Sequence, residues 1–197
     1  ETVTVTVNDP DTQAIITNAA SFDINEGNQA SLTVRLAFNP VTPVTVTLTS
    51  DDLGAVSTNP VSLDFDSTNY AITQTVLLDG VNDNDTQDEP GVTITLAGAS
   101  APDLNVNVNV TDDDVQALVL NRTTMNVNEG GSDTFTVSLA FDPVNDIDVN
   151  VASSNPGLVG LSETDLTFTS GNYQQGQLIT VTVGQDPIIT PIYVVGT

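Results

Sequence analysis

Short runs in which apolar and polar residues alternate recur along the chain: SLTVRLAF at 31–38, VTVTLTS at 44–50, ITQTVLL at 72–78, VTITLAG at 92–98 and LNVNVNV at 104–110. Period-two alternation puts one set of side chains on each face of a strand, and the residues that alternate are largely the β-branched ones that suit a pleated, half-buried surface. Clusters of Gly, Pro, Asn and Asp separate the runs, and these residues close tight turns by tolerating unusual backbone angles or bonding the local backbone. No segment carries a helical period. The pattern predicts an all-β chain of antiparallel sheets. One further run, TVTVTV at 2–7, precedes all the others, and its Val3, Val5 and Val7 share a face that must be buried against something.

The pattern repeats as a block. FDINEGNQASLTVRLAFNP at 22–40 returns as MNVNEGGSDTFTVSLAFDP at 125–143, and the same offset of 103 residues carries Phe65 to Phe168 and Asn69-Tyr70 to Asn172-Tyr173. A long match without insertion marks two copies of one domain. The offset also aligns TVTVTVNDPDTQA at 2–14 with NVNVNVTDDDVQA at 105–117, so the opening run reads as the closing strand of another unit. The second copy stops at Thr197, before any counterpart of 104–110. The expected organisation is therefore 1–11 as the terminal strand of a preceding or neighbouring unit, 12–114 as a first sandwich, and 115–197 as a second sandwich lacking its last strand. A repeat of about 100 residues with about seven short strands predicts two tandem immunoglobulin-like antiparallel sandwiches. The antibody-type Cys and Trp hallmarks are absent.

Charge narrows the partners. The chain has 26 acidic residues against two basic ones, Arg35 and Arg122, a formal net charge of −24 in 197 residues, with no His. Such a field repels nucleic acid and anionic membrane and attracts divalent cations. No apolar run reaches the roughly 18 residues that span a bilayer, so membrane insertion is not expected. Without Cys there is no disulfide framework and no thiolate metal site.

The acidic residues are concentrated in turns. VNDNDTQDE at 81–89 offers Asp83, Asp85, Asp88 and Glu89; TDDD offers Asp112, Asp113 and Asp114; SDD offers Asp51 and Asp52; NEG offers Glu26. Calcium takes six to eight oxygen ligands, and carboxylates crowded on one loop repel unless a cation neutralises them. DND followed by DE has the start of an EF-hand loop but lacks its Gly, its distal Glu and its helices, which excludes that motif. The order NEG, SDD, DNDTQDE before GVTITL, and then VNVTDDD resembles a Calx-beta domain, over most of each repeat. That resemblance implies a calcium cluster at one tip of the first sandwich, with Glu26, Asp51 or Asp52, Asp83 and Asp85 with Asp88 or Glu89, and Asp112 with Asp114 as the matching ligands. In the second repeat the equivalent loop is GQDPIITP, with Asp186 alone, and Ser153 and Ser154 stand near the SDD position. There the acidic positions read as solvated turns, and in the first repeat that plainer reading stands beside the calcium site.

No His, Lys or Cys is present to act as a nucleophile or a neutral-pH base, and the carboxylate pairs fall in turns the repeat explains, so the chain is not expected to be an enzyme. The absence of Lys also excludes Lys–Asn isopeptide crosslinks. The sequons NDT at 84, NVT at 109 and NRT at 121 are short enough to arise by chance in an Asn/Thr-rich chain. Tyr70 and Tyr173 read as core or corner residues.

Two functions follow. The first is a structural repeat segment of an extracellular, cell-surface filament, adhesin or surface layer, with Val3, Val5 and Val7 of one chain completing the second sandwich of the next by strand addition. Such a contact is head to tail and propagates. The second is a calcium-regulated protein-binding module within a larger tandem-repeat protein. The ends are equally explained by a longer tandem array, in which each terminal strand belongs to a neighbouring repeat of the same chain. The partners expected are other copies, neighbouring repeats or other cell-surface components.

Overall fold

The computed structural model describes residues 1–8 and 10–185. Asp9 of the first acidic turn, Asp186 and the closing part of the second repeat lie outside the described residues. The chain divides into two compact units, Glu1–Asp83 with Gln87–Asp113, and Asn84–Thr86 with Asp114–Thr197. No helix occurs among the described residues.

The first unit is a sandwich of nine strands: β1 (Ile15–Thr17), β2 (Ser21–Asn25), β3 (Gln29–Leu36), β4 (Val44–Ser50), β5 (Val56–Asn59), β6 (Ser62–Phe65), β7 (Gln74–Gly80), β8 (Glu89–Gly98) and β9 (Leu104–Thr111). One sheet runs β1-β3-β7-β5 and the other β2-β9-β8-β4-β6. All neighbours are antiparallel except β2 and β9, which are parallel. Nine strands replace the expected seven partly because the entering segment changes sheets. It pairs first with β3, Ile15 opposite Leu36, and then crosses to β9, Phe22 opposite Val108. Neither piece is long enough to show the alternation that marks a strand in sequence.

The alternating apolar positions form the core as the period requires. Leu32, Val34 and Leu36 of β3, Val76 and Leu78 of β7, Ile94 and Leu96 of β8, and Val106 and Val108 of β9 are each fully buried, at 0% exposure. Phe65, at 1%, is the largest buried side chain of this unit. The hairpin from β8 to β9 turns at Gly98, whose φ of 119° is closed to side chains and where an added Cβ would run into the Thr45 carbonyl oxygen.

The second unit contains β10 (Leu118–Leu120), β11 (Ser132–Leu139), β12 (Ile147–Asn150), β13 (Val159–Leu161), β14 (Asp165–Phe168) and β15 (Gln177–Val183). They correspond by the 103-residue offset to β1, β3, β4, β5, β6 and β7. The β10-β11-β15-β13 sheet is the counterpart of the first unit's four-stranded sheet, but the opposing sheet has only β12 and β14 among the described residues. The counterpart of β2, residues 124–128, is not a strand. In the first unit that segment is held by β9, and among the described residues of the second unit 124–128 has no strand beside it.

The shortfall is visible in burial. Phe168 and Ile179 remain at 0%, but Phe135, Val149 and Val151, which match the buried Leu32, Val46 and Leu48, are only half-buried. Leu118 is 55% exposed, whereas its counterpart Ile15 is 7% exposed.

The paired Asn-Tyr motif has one role in both units. The Asn69 side-chain oxygen accepts from the Asp66 N–H at 2.7 Å and its amide donates to the Asp64 carbonyl at 3.1 Å. Asn172 does the same to Thr169 and Thr167, at 2.7 and 3.3 Å. This closes the turn after β6 and after β14. Tyr70 and Tyr173 then pack on their cores, and their carbonyls accept from Leu36 and Leu139 N–H groups at 2.8 Å. The core or corner role expected of both tyrosines is the one they have.

The segment 2–7 makes no strand, and Val3, Val5 and Val7 are 89%, 77% and 86% exposed. Six residues cannot satisfy a ladder by themselves, and no edge of the first unit is used to pair them.

Two outcomes are expected. Phe65→Ala and Phe168→Ala should each lower the stability of their own unit by about 3–5 kcal/mol in chemical denaturation. Asp66 accepts from the Thr68 hydroxyl and from the Thr68 and Asn69 N–H groups, which hold its carboxyl below the usual carboxylate range, the Thr68 hydroxyl contributing most. The stabilisation it gives is complete above the ordinary Asp pKa of about 3.9 and is lost as pH falls through the lower folded value. Asp66→Asn should therefore flatten the acid limb of the stability profile in that window, measured by urea midpoint against pH.

Candidate functional site

Period-two geometry continues past the strand ends and decides where three acidic side chains go. Phe22 and Ile24 of β2 face the core, so Glu26, two residues on, faces the same way and is 3% exposed. Asp112 follows Val108 and Val110 of β9 on the same face. Asp83 follows β7, and its N–H donates to Glu26 Oε1 at 3.3 Å. Carboxylate oxygens of Glu26, Asp83 and Asp112 lie within 4.8 Å of one another, at the end of the sandwich where strands of both sheets terminate.

The NEG turn sets this position. Asn28 N–H donates to the Asn25 carbonyl at 3.1 Å, and Gly27 takes φ of 65°. That is a turn in which glycine supplies the left-handed residue. The turn is tied to β7 and β9: Gly27 N–H to the Gly80 carbonyl at 3.0 Å, Gly80 N–H to the Asn28 carbonyl at 2.9 Å, and Glu26 N–H to the Thr111 carbonyl at 3.0 Å. Gly80 is a part of the site that sequence reasoning missed. A Cβ there would stand 2.9 Å from the Asn25 carbonyl oxygen, so its missing side chain lets the turn close on β7. The Asp79-Gly80 dipeptide at the end of an alternating run was the available signal.

Asp88, Asp51 and Asp52 are placed differently. Asp88 is exposed, and its Oδ1 accepts from the Asp112 N–H at 3.0 Å, which links the loop to the trio through the backbone. Asp51 and Asp52 are exposed turn residues: Asp51 Oδ1 accepts from Thr93 N–H and Asp52 Oδ1 from Gly54 N–H, each at 2.8 Å. With Asp88 and half-buried Glu89 they line an open depression of about 400 Å³. Asp85 and Asp114 belong to the stretches grouped with the second unit, and both are half-buried.

Oxygens 4.8 Å apart or less fit around one hard cation, because Ca²⁺ holds its oxygen ligands at 2.3–2.6 Å. Three carboxylates brought this close, one of them buried, need neutralisation by protons, hydrogen bonds or a cation. In the second unit the turn itself survives, with Gly130 at φ 69° and its N–H donating to the Val183 carbonyl at 3.0 Å. Glu129 is nevertheless exposed. The turn sequence is kept, whereas the burial that concentrates charge is not, since that depends on β2 and β9.

No protein-family model matches the chain, and no curated protein matches it in sequence. Among solved structures it is similar to a chain from a chaperone–tip adhesin complex described as vital for synergistic activation of CFA/I fimbriae biogenesis. The identity is 7%, covering 90% of this chain and 95% of that one, with a TM-score of 0.40. It is also similar to the S-layer protein rSbsC, at 21% identity over 91% of this chain and 22% of that one, TM-score 0.38. A third likeness is to the class 5 fimbriae chaperone CfaA, at 8% identity over 93% and 98% of the two chains, TM-score 0.38.

Glu26→Gln removes one charge from the trio at nearly constant shape. In chelator it should raise the melting temperature of the first unit by roughly 4–8 °C, the shift that about 1 kcal/mol of relieved repulsion gives in a domain of this size. A fall in melting temperature would show that the carboxylate is held by hydrogen bonds worth more than the repulsion.

Proposed function

We propose that this chain is a structural repeat segment of an extracellular cell-surface assembly, a filament, adhesin or surface layer. Its copies join head to tail, with residues 2–7 of one chain serving as the closing strand of the second sandwich of the next. The observation that carries the reading is a contrast between repeat-related residues. Val106, Val108 and Val110 of β9 are 0%, 0% and 1% exposed, whereas their counterparts Val3, Val5 and Val7 are 89%, 77% and 86% exposed. One sequence pattern thus occurs once as an indispensable core strand and once with nothing on it. The second unit supports the reading from the other side, since 124–128, the counterpart of β2, has no strand beside it among the described residues. Strand addition satisfies both: main-chain hydrogen bonds supply affinity and alternate side chains supply fit. Absence of His, Lys and Cys agrees with a role that is architectural and not catalytic.

A second reading, a calcium-regulated protein-binding module of Calx-beta type, is favoured by the burial of Glu26 beside Asp83 and Asp112. In that reading the cation is Ca²⁺, and its ligands come from Glu26, Asp83 and Asp112, with Asp88 and Glu89 nearby in the loop. Calcium would fix the first unit's tip, joining the ends of β2, β7 and β9. The second repeat, with Glu129 exposed, is a poor calcium site.

Electron microscopy of the purified chain should show filaments that vanish on deleting residues 1–8 and on Val5→Asp, which sets a charge on the buried face. Filaments persisting in both variants would sink strand donation. For calcium, the first unit should melt several degrees higher with millimolar Ca²⁺ than with chelator, and less so in Asp83→Asn; identical melting curves would remove the second reading.

A further inference from the structure

The first unit contains a worked example of the joint, and its register can be transferred residue by residue. β9 lies parallel to β2, with Ser21 opposite Asn107, Phe22 opposite Val108, Asp23 opposite Asn109, Ile24 opposite Val110 and Asn25 opposite Thr111. On the outer face the Asn109 amide donates to Asp23 Oδ1 at 2.7 Å. The chain repeats at 103 residues, so the counterpart of β2 is 124–128 and the counterpart of β9 is 2–8.

We infer that residues 4–8 of one copy dock parallel to residues 124–128 of a second copy, with Thr4 opposite Thr124, Val5 opposite Met125, Thr6 opposite Asn126, Val7 opposite Val127 and Asn8 opposite Asn128. The inference rests on the strand-donation reading and adds its direction, register and receiving segment. Met125 and Val127 are half-buried and leave the inward face that Val5 and Val7 would share. Thr4, Thr6, Thr124 and Asn126 are exposed and take the outer face, as Asn107, Asn109, Ser21 and Asp23 do in the first unit. Docking makes a strand of 124–128, which by itself is none. It also offers the Glu129 N–H the Asn8 carbonyl, as Glu26 N–H uses that of Thr111.

The repeat supplies the occupant, since 2–8 is the counterpart of β9, and charge does not oppose the pairing. Both 2–7 and 123–128 are free of charge in a chain that carries 26 acids against two cations, so no like charges face each other along this pairing. Continued toward its start in this register, the donor brings Glu1 to the level of Asn121 and Arg122, whose guanidinium already pairs with Asp133 at 2.6 Å. The antiparallel direction would carry Glu1 beyond the acceptor's other end, toward Glu129.

The chain has no cysteine, so disulfide mapping reads the joint directly. Adjacent strands lie about 4.8 Å apart, within the Cα separation of about 4.4–6.8 Å that a disulfide accepts. All substituted positions are exposed, so folding of either unit is not at stake. Thr6→Cys chains mixed with Asn126→Cys chains, and Thr4→Cys with Thr124→Cys, should oxidise to a covalent dimer at least tenfold faster than Thr4→Cys with Asn128→Cys, on a non-reducing gel. Assembly that persists with Thr4–Asn128 as the fast pair overturns the parallel direction and leaves strand donation standing. Assembly that persists with another register, such as Thr6–Thr124, overturns the register alone. Crosslinking of the Thr6→Cys, Asn126→Cys double variant within single chains overturns the second copy as occupant. Absence of both crosslinks and filaments overturns this inference together with strand donation.

Discussion

A strand with one apolar face has to meet two demands at once: its backbone needs a neighbour on the edge, and its buried side chains need an opposing sheet. In the first unit β9 meets both. It lies between β2 and β8, and its valines face the four-stranded sheet, so β2 is a strand because β9 is beside it. Removing β9 in thought would leave β2 without hydrogen-bond partners and uncover the middle of the core. In the second unit the four-stranded sheet keeps every counterpart, while 124–128 is not a strand and Phe135, Val149 and Val151 are half-buried.

The same dependence reaches the acidic tip. Glu26 is buried because it extends the inward face of β2, and β2 is placed by its ladder to β9. Glu129 has the same NEG turn and the same glycine in the left-handed conformation, yet it is exposed. Turn chemistry is local and survives wherever the sequence is kept. The crowding of carboxylates is not local, since it needs strands from both sheets to end at one place.

Much of this was legible in the residues. The runs at 31–38, 44–50, 72–78, 92–98 and 104–110 became β3, β4, β7, β8 and β9, because long period-two alternation leaves few other ways to bury one face. The short strands β1, β2, β5 and β6 were not legible, being three to five residues each with too few alternations to stand out. Of the acidic candidates, all were visible as residues in turns, but the turns gave no sign of which would meet. Asp51 and Asp52 bond the backbone of Thr93 and Gly54, while Glu26, Asp83 and Asp112 converge from positions far apart in the chain.

The sequence by itself determined the class of the fold, the two copies, their 103-residue offset and the strand character of their long alternating runs, because periodicity and turn residues act within a few positions of one another. Only the tertiary structure decided that the entering segment divides between two sheets, that β9 runs parallel to β2, and which carboxylates crowd together. It also decided that Val3, Val5 and Val7, identical in pattern to the core of β9, are exposed. Burial belongs to the pairing of strands distant in sequence, and no stretch of residues carries that pairing alone.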